Sequence, residues 1–197
     1  MDPTIFSLDL SCFSQTDHTV CIDGEIAIQD NIDDCPSTDT LWQPHKSFPI
    51  QAQMPMILLC TEGETHIRVS LKEYVLRPNS FCIIVAGIIF EILSISKDFK
   101  GLMIATRSNF MPVTESTMQV LSFYKSLRNV HCFSLGKKEL QEFLKVYRAI
   151  RVILKEGNHP FKIPILQSYV QILYYWIAPM VIQESELQAK SPRTRQE

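Results

Sequence analysis

Histidines, cysteines and paired carboxylates are the side chains of this sequence that could serve as metal ligands, nucleophiles or general acids and bases. The five histidines stand far apart and form neither an H-x-H nor an H-x-x-x-H motif. The six cysteines include no C-x-x-C pair and none at metal-site spacing from a histidine. Adjacent carboxylates at Asp33 and Asp34, and near neighbours at Glu62 and Glu64, fall in loop or turn sequence, where solvation is their ordinary role. Folding could gather the histidines, so the sequence leaves a metal site open without predicting one.

Other motifs for catalysis or for nucleic-acid binding are missing from the sequence. It contains no G-x-S-x-G nucleophile motif and no glycine-rich phosphate loop. Its formal charge of −2 argues against a nucleic-acid surface within this chain. The basic residues between positions 137 and 155 recur at the spacing of a solvated helix face. We therefore predict that the protein is not an enzyme and uses neither a metal nor another cofactor.

The amino terminus and the apolar segments indicate where the protein resides. The first thirteen residues, MDPTIFSLDLSCF, contain two aspartates and lack the basic start of a signal peptide. The apolar run 81–90 is too short to cross a bilayer. Segment 163–182 is long enough, but three polar residues interrupt it and Pro179 is expected to break its helix. We predict a cytoplasmic protein with reduced thiols and no membrane span.

The first 110 residues have the pattern of short strands joined by turns. Asp23-Gly24 lies between two apolar runs, which is a hairpin signal. Further turns are predicted at TEGE (61–64), at Asn79 and at Ala86-Gly87. Short strands at close, even spacing favour a β-sandwich or a β-barrel.

After residue 110 the period of the apolar residues changes from that of strands to that of helices. Segment 115–129 is weakly helical, whereas 136–160 has apolar residues every three or four positions and ends at Gly157-Asn158. A third helix begins near residue 163 and is apolar around most of its circumference. Such a helix is buried either within its own domain or against a partner subunit, and the sequence supports both.

Residues 15–197 resemble the sensor part of AraC-type transcription regulators, particularly Bacteroides-like members, and the resemblance to their ligand-sensing cupin domain is strongest over 55–111. The resemblance is carried by the hydrophobic pattern of CTEGETHIRVSLKEYVLRPNSFCIIVAGIIFEI (60–92), by its two glycine turns, and by SISKDFKGLMIATRSNFM (94–111). It implies a cupin-like double-stranded β-helix, a jelly-roll barrel, followed by about three C-terminal α-helices. The implied organisation is a sensor barrel over 1–112, a helical dimerisation region over 113–186, and a linker over 187–197 towards a helix-turn-helix domain outside this chain.

Metal-using cupins carry two ligand motifs, and this chain departs from both. The glutamate position of the first motif falls at Met56, and the histidine position of the second falls at Phe90. Only a turn glycine of the second motif, Gly87, is retained. A hard cation needs nitrogen or oxygen ligands, so metal-cupin chemistry is not expected here.

The ligand positions of those motifs point into the barrel, and strand side chains alternate. The resemblance therefore implies an apolar interior that either is packed solid or binds one small effector, lined by Met54, Met56, Leu58, Cys60, Phe90 and Ile92.

The resemblance also implies a homodimer that contacts DNA only through the missing domain. One stripe of the last helix is predicted to form the dimer interface. Its residues are Tyr169, Ile172, Trp176 and Met180. Two alternatives stay open: a stand-alone metal-dependent cupin enzyme, and a packed dimerisation module that binds no ligand.

Overall fold

The computed structural model describes residues 5–32, 48–111, 118–128 and 131–190. Eleven strands and three helices lie in these ranges. The strands are β1 (Phe6–Leu8), β2 (Thr19–Ile22), β3 (Ile26–Asp30), β4 (Ile50–Ala52), β5 (Met56–Glu62), β6 (Thr65–Val69), β7 (Lys72–Leu76), β8 (Ser80–Ile84), β9 (Ile89–Ile95), β10 (Lys100–Thr106) and β11 (Cys132–Ser134). The helices are α1 (Met118–Leu127), α2 (Lys137–Lys155) and α3 (Lys162–Lys190).

Two sheets face each other, and the pairing of their strands is that of a jelly roll. The five-stranded sheet has the order β1-β4-β9-β6-β7, and the six-stranded sheet has the order β11-β8-β5-β10-β3-β2. Strands β6 and β7, β5 and β8, β4 and β9, and β3 and β10 pair antiparallel, as in a long hairpin folded over on itself. The strand order thus confirms the predicted double-stranded β-helix followed by helices.

Glycines with left-handed backbone form three of the predicted turns. Gly24, Gly63 and Gly87 have φ angles of 66°, 67° and 88°. They connect β2 to β3, β5 to β6 and β8 to β9, so the hairpin and turn signals at these positions are confirmed. Asn79, with φ of 70°, forms the predicted turn between β7 and β8.

Two apolar cores lie on opposite faces of the six-stranded sheet. Side chains between the two sheets form the interior core of the barrel. Side chains on the outer face of the six-stranded sheet pack with the helices in a second core, the helix core. Because successive strand residues alternate between faces, β5 contributes Leu58 to the interior core and Leu59 to the helix core.

Helix α3 departs from expectation at its C-terminal part. The expected helix break at Pro179 is wrong, because α3 continues through this residue to Lys190. Pro179 is exposed, so its pyrrolidine ring does not interrupt the buried face of the helix. The helix therefore extends past residue 186, where the sequence places the start of a linker. Residues 191–197 lie outside the described residues, and the domain division stays a prediction.

Helix α3 is also the one helix, among the described residues, that is long and apolar enough to cross a membrane by length and composition. This is weak evidence for a span, since a core helix of a soluble protein passes the same criterion. Here a row of its apolar side chains packs into the helix core, including Leu166, Val170 and Leu173.

Candidate functional site

The six side chains predicted to line a ligand cavity all lie in the interior core. Met56, Leu58 and Cys60 point inward from β5, and Phe90 and Ile92 point inward from β9 across the barrel. Together with Met54 they are at most 4% exposed. Their neighbours in this core are also apolar, among them Ile67, Val69, Ile84 and Met103. The structure thus brings the predicted residues together as a tightly buried apolar cluster, and whether they bind a ligand stays a prediction.

Cys60 is the one thiol among these six residues. Its Sγ atom lies 3.3 Å from the carbonyl oxygen of Glu62 and 3.5 Å from that of Gly63, at hydrogen-bonding distance for sulfur. Burial raises the pKa of the thiol to about 12. Cys60 is therefore protonated at neutral pH and donates a hydrogen bond. Because only a deprotonated thiol acts as a nucleophile or a metal ligand, we expect Cys60 to do neither.

The described ranges contain no group of three or more His, Cys, Asp or Glu side chains that could hold a metal ion. Two of the histidines illustrate how the fold separates them. His66 lies on the outer surface, with its Nε2 atom 3.4 Å from Glu64 Oε1. His131 is 2% exposed and packs edge-on to the ring of Tyr74. The residue His45 falls outside the described residues.

A cleft of about 320 Å³ opens at one end of the barrel and reaches Met54 from outside. We call it the barrel-mouth cleft. It is lined by Asp9, Leu10, Ser11, Gly24, Gln53, Met54, Arg107 and Ser108. Its cation, Arg107, lies 2.8 Å from Glu25 Oε1. Hydrogen bonds from Ser11 lower the pKa of the Asp9 carboxyl, so this side chain is an anion at neutral pH.

The barrel-mouth cleft can accept a small molecule that has both polar and apolar groups, since a carboxylate, an arginine, an amide and two hydroxyls surround apolar carbon atoms. Sequence reasoning found only Met54 among its residues. The others come from four segments of the chain, and none of those segments carries a ligand-binding motif, since the signal at Asp23-Gly24 is that of a hairpin turn.

The helix core joins the barrel to the helices over a continuous apolar surface. Ile57 and Leu59 from β5, with Ile83 from β8, lie against the helices. The helices contribute large and almost fully buried side chains to the same core, including Phe143, Tyr147, Leu173 and Ile177. We therefore expect a displacement of β5 towards the helices to be transmitted through this core, because close-packed side chains have little room to absorb it.

A buried polar contact crosses the same interface. Asp30, at the end of β3, is 3% exposed. Its Oδ2 atom accepts a hydrogen bond from the hydroxyl of Tyr147 on α2, and its Oδ1 atom lies 3.2 Å from Arg151 Nη1. These three residues, the Asp30 cluster, fix α2 to the barrel through hydrogen bonds to a charged group. Sequence patterns do not reveal this contact, because Asp30 is more than one hundred positions away from both of its partners.

The four residues predicted to form a dimer interface differ in exposure. Ile172 is 51% exposed. Tyr169, Trp176 and Met180 are half-buried and pack against the helix core. Trp176 and Met180 also line an open groove of about 600 Å³ between α3 and the start of α2. Part of the predicted stripe thus stabilises the chain's own fold, and its role in a dimer stays a prediction.

Comparisons with known proteins give low structural similarity and no match in sequence. No family model matches the chain, and no curated protein matches it. Solved structures with partial similarity include a cupin 2 conserved barrel domain protein from Leptotrichia buccalis, with a TM-score of 0.34 and 13% identity over 49% of this chain and 45% of that one.

A conserved protein of unknown function from Streptococcus pyogenes gives a TM-score of 0.33 and 10% identity over 52% of this chain and 80% of that one. A cupin superfamily protein from Desulfitobacterium hafniense gives a TM-score of 0.29 and 17% identity over 48% of this chain and 72% of that one. Similarity this low carries no functional information, so the fold assignment here depends on the strand pairing itself.

Proposed function

We propose that this chain is the effector-sensing and dimerisation part of an AraC-family transcription regulator. In this proposal a small molecule binds in the metal-free barrel in the cytoplasm. The homodimer then controls DNA binding by a helix-turn-helix domain that is not part of this chain. The protein itself performs no catalysis and contacts DNA only through that domain.

The observation that carries this proposal is the position of the six-stranded sheet. One face of this sheet lines the barrel interior, and the other face packs on α1, α2 and α3. A molecule that binds beside Met54 or Met56 would displace β5. The outward side chains of the same strand, Ile57 and Leu59, belong to the helix core, so the displacement would reach the helices. Since dimer geometry sets the spacing of two DNA half-sites, a small helix shift is enough to change DNA binding.

Such a switch has an energetic requirement. To convert most molecules from one arrangement to the other, the effector must prefer one of them by several kcal/mol. Binding must also move side chains that are almost fully buried in the interior core. The barrel-mouth cleft offers the approach, because Met54 forms part of both the cleft and that core.

The experiment is a thermal melt of the purified chain against a broad panel of metabolites. An effector at one hundred times its Kd should stabilise the chain by about 2.7 kcal/mol, and so raise the melting temperature by several degrees. The variant Met54→Arg, which would place a charge at the base of the cleft, should lose this response. Val152→Ala, a change at an exposed position of α2, should keep it. If no metabolite shifts the melt of the wild-type chain, ligand sensing is refuted.

A second candidate function is a dimerisation module that binds no ligand. The dense packing of the interior core favours it, since Leu58, Cys60 and Cys82 are 0% exposed. This candidate predicts the negative outcome of the metabolite panel together with a stable dimer.

The dimer has its own test, at the most exposed of the four predicted interface residues. Ile172→Asp should convert a dimer to monomers in sedimentation, because it would bury an uncompensated charge at the interface. The matched control is Val152→Asp, which should leave the dimer intact. Val152 lies on α2 and is 58% exposed. If Ile172→Asp stays dimeric, the interface lies elsewhere.

A further inference from the structure

Two cysteines face each other where the helical region joins the barrel. Cys82 lies on β8 and Cys132 on β11, and they are direct partners in the antiparallel register. The backbone N–H of Ile83 donates to the carbonyl oxygen of His131 at 2.9 Å. This hydrogen bond makes the two cysteines a non-hydrogen-bonded pair, the type in which opposite side chains approach most closely.

That geometry suits a covalent link between the two sulfur atoms. Cα atoms in such a pair are about 4.5 Å apart, which lies within the range of about 4.4–6.8 Å found in disulfides. The two side chains also point to the same side of the sheet, because Cys82 belongs to the interior core and Cys132 packs against that core. No backbone movement is therefore needed to bring the sulfur atoms together.

The two thiols differ in access to solvent. Cys82 is fully buried in the interior core, whereas Cys132 is half-buried at the sheet edge. Burial raises the pKa of Cys82 well above its ordinary value. Cys132 is consequently the thiol that an oxidant reaches first, and Cys82 is the neighbour that reacts with it afterwards.

We propose that Cys82 and Cys132 form a reversible, redox-responsive disulfide whose oxidant is a small-molecule disulfide. The Cys132 thiolate attacks one sulfur of the oxidant, whose S–S bond breaks and releases one small thiol. The Cys82 thiol then loses its proton, its sulfur attacks the Cys132 sulfur of this mixed disulfide, and the second small thiol is released with that proton. The two protein thiols lose two electrons and two protons, and the oxidant is reduced to two thiols.

The disulfide would act at the connection between two helices. Strand β11 lies between α1 and α2 in the chain, and its neighbour in the sheet is β8. In the reduced protein, backbone hydrogen bonds to β8 and side-chain packing hold this three-residue strand in place. In the oxidised protein a covalent bond would also join it to the barrel. The redox state would thus fix or release the α1–α2 connection without any effector. The inference does not depend on the proposed function.

The test is peptide mapping of the full chain. The reduced protein is incubated with oxidised glutathione under native conditions, its remaining thiols are alkylated, and it is digested without reduction. We expect the peptides of Cys82 and Cys132 to be joined with the loss of two hydrogen atoms, and dithiothreitol to separate them. Cys82→Ser should trap a glutathione adduct on Cys132, whereas Cys132→Ser should leave Cys82 unmodified. The control Cys12→Ser, at an exposed cysteine, should keep the crosslink.

Thermal melts provide a second measurement that does not depend on the folding of the variants. The oxidised wild-type chain should melt several degrees above the reduced chain, because the crosslink restricts the unfolded state. The proposal is overturned if Cys82 and Cys132 both remain open to alkylation after unfolding while Cys12 or Cys21 is oxidised. It is also overturned if Cys132 pairs with another cysteine, or if the crosslinked chain melts below the reduced one.

Discussion

The contact between Asp30 and Tyr147 gives a quantitative test of how the barrel and the helices are held together. The perturbation is Tyr147→Phe, which removes one hydroxyl and leaves the aromatic ring in place. The Asp30 carboxylate would then lose the donor to its Oδ2 atom and keep Arg151, 3.2 Å from its Oδ1 atom. Because Asp30 is only 3% exposed, water has little access to replace the lost hydroxyl.

The magnitude follows from the charge and the burial of the acceptor. A hydrogen bond to a charged group contributes about 1.5–3 kcal/mol, and leaving a buried acceptor unsatisfied costs a similar amount. We expect Tyr147→Phe to lower the free energy of unfolding by about 1.5–3 kcal/mol. For a chain of this size, such a loss lowers the melting temperature by about 3–12 °C.

The assay is urea unfolding followed by circular dichroism, with a double-mutant cycle. Asp30→Asn and the double variant should give a coupling energy of about 0.5–3 kcal/mol with Tyr147→Phe. The control is Tyr169→Phe, the same chemical change at a half-buried position of α3, which should stay within about 0.5 kcal/mol of the wild type. A loss below about 0.5 kcal/mol for Tyr147→Phe, or a coupling energy of zero, would refute the reasoning.

Three further predictions concern a turn glycine, the interior core and a buried histidine. Gly63→Ala should lower the melting temperature more than Gly87→Ala does. A Cβ atom at Gly63 would lie 2.8 Å from the backbone of Phe99, whereas nothing lies within 4 Å of one at Gly87. Equal decreases in melting temperature would contradict this. Leu58→Ala should lower the free energy of unfolding by about 2–5 kcal/mol in urea, and a loss below about 1 kcal/mol would mean that the interior is not packed around it. Burial, with the charge of a nearby lysine, lowers the pKa of His131 below 6.5, so the unfolded chain binds a proton more readily. The free energy of unfolding should therefore decrease as the pH falls from about 6.5 towards the lower pKa of the folded chain. Thermal melts across this pH range should show a smaller decrease for His131→Asn than for the wild type.

Local strand signals were sufficient to predict a β-sandwich or a β-barrel, whereas the jelly-roll topology was implied by the resemblance to cupin domains. Alternation placed Met56 and Leu58 on one face of β5, and the structure confirms that they point inward. Glycines at 63 and 87 marked turns because few other residues adopt positive φ. These signals depend on neighbours within a few positions of each other, so they are readable without the fold.

The parts of the site that the sequence did not predict depend on contacts between distant segments. Asp30 meets Tyr147 across 117 positions, and Arg107 joins the barrel-mouth cleft beside Asp9. No periodicity or motif connects such residues. The error at Pro179 has a related cause, since α3 is held by the packing of its buried face and tolerates a proline on its exposed side.

The structure shows which side of α3 is buried within its own chain, a question that the sequence left open. The apolar residues of this helix could have been buried within the chain or against a partner. Most of them pack into the helix core, and the exposed side of the helix keeps a short apolar row at Ile172, Tyr175 and Pro179, followed by the exposed polar residue Gln183. We therefore expect a dimer interface on α3 to include this row, since Trp176 and Met180 are already half-covered by their own chain. Substitutions at Ile172 test association alone, whereas substitutions at Trp176 would disturb both association and folding.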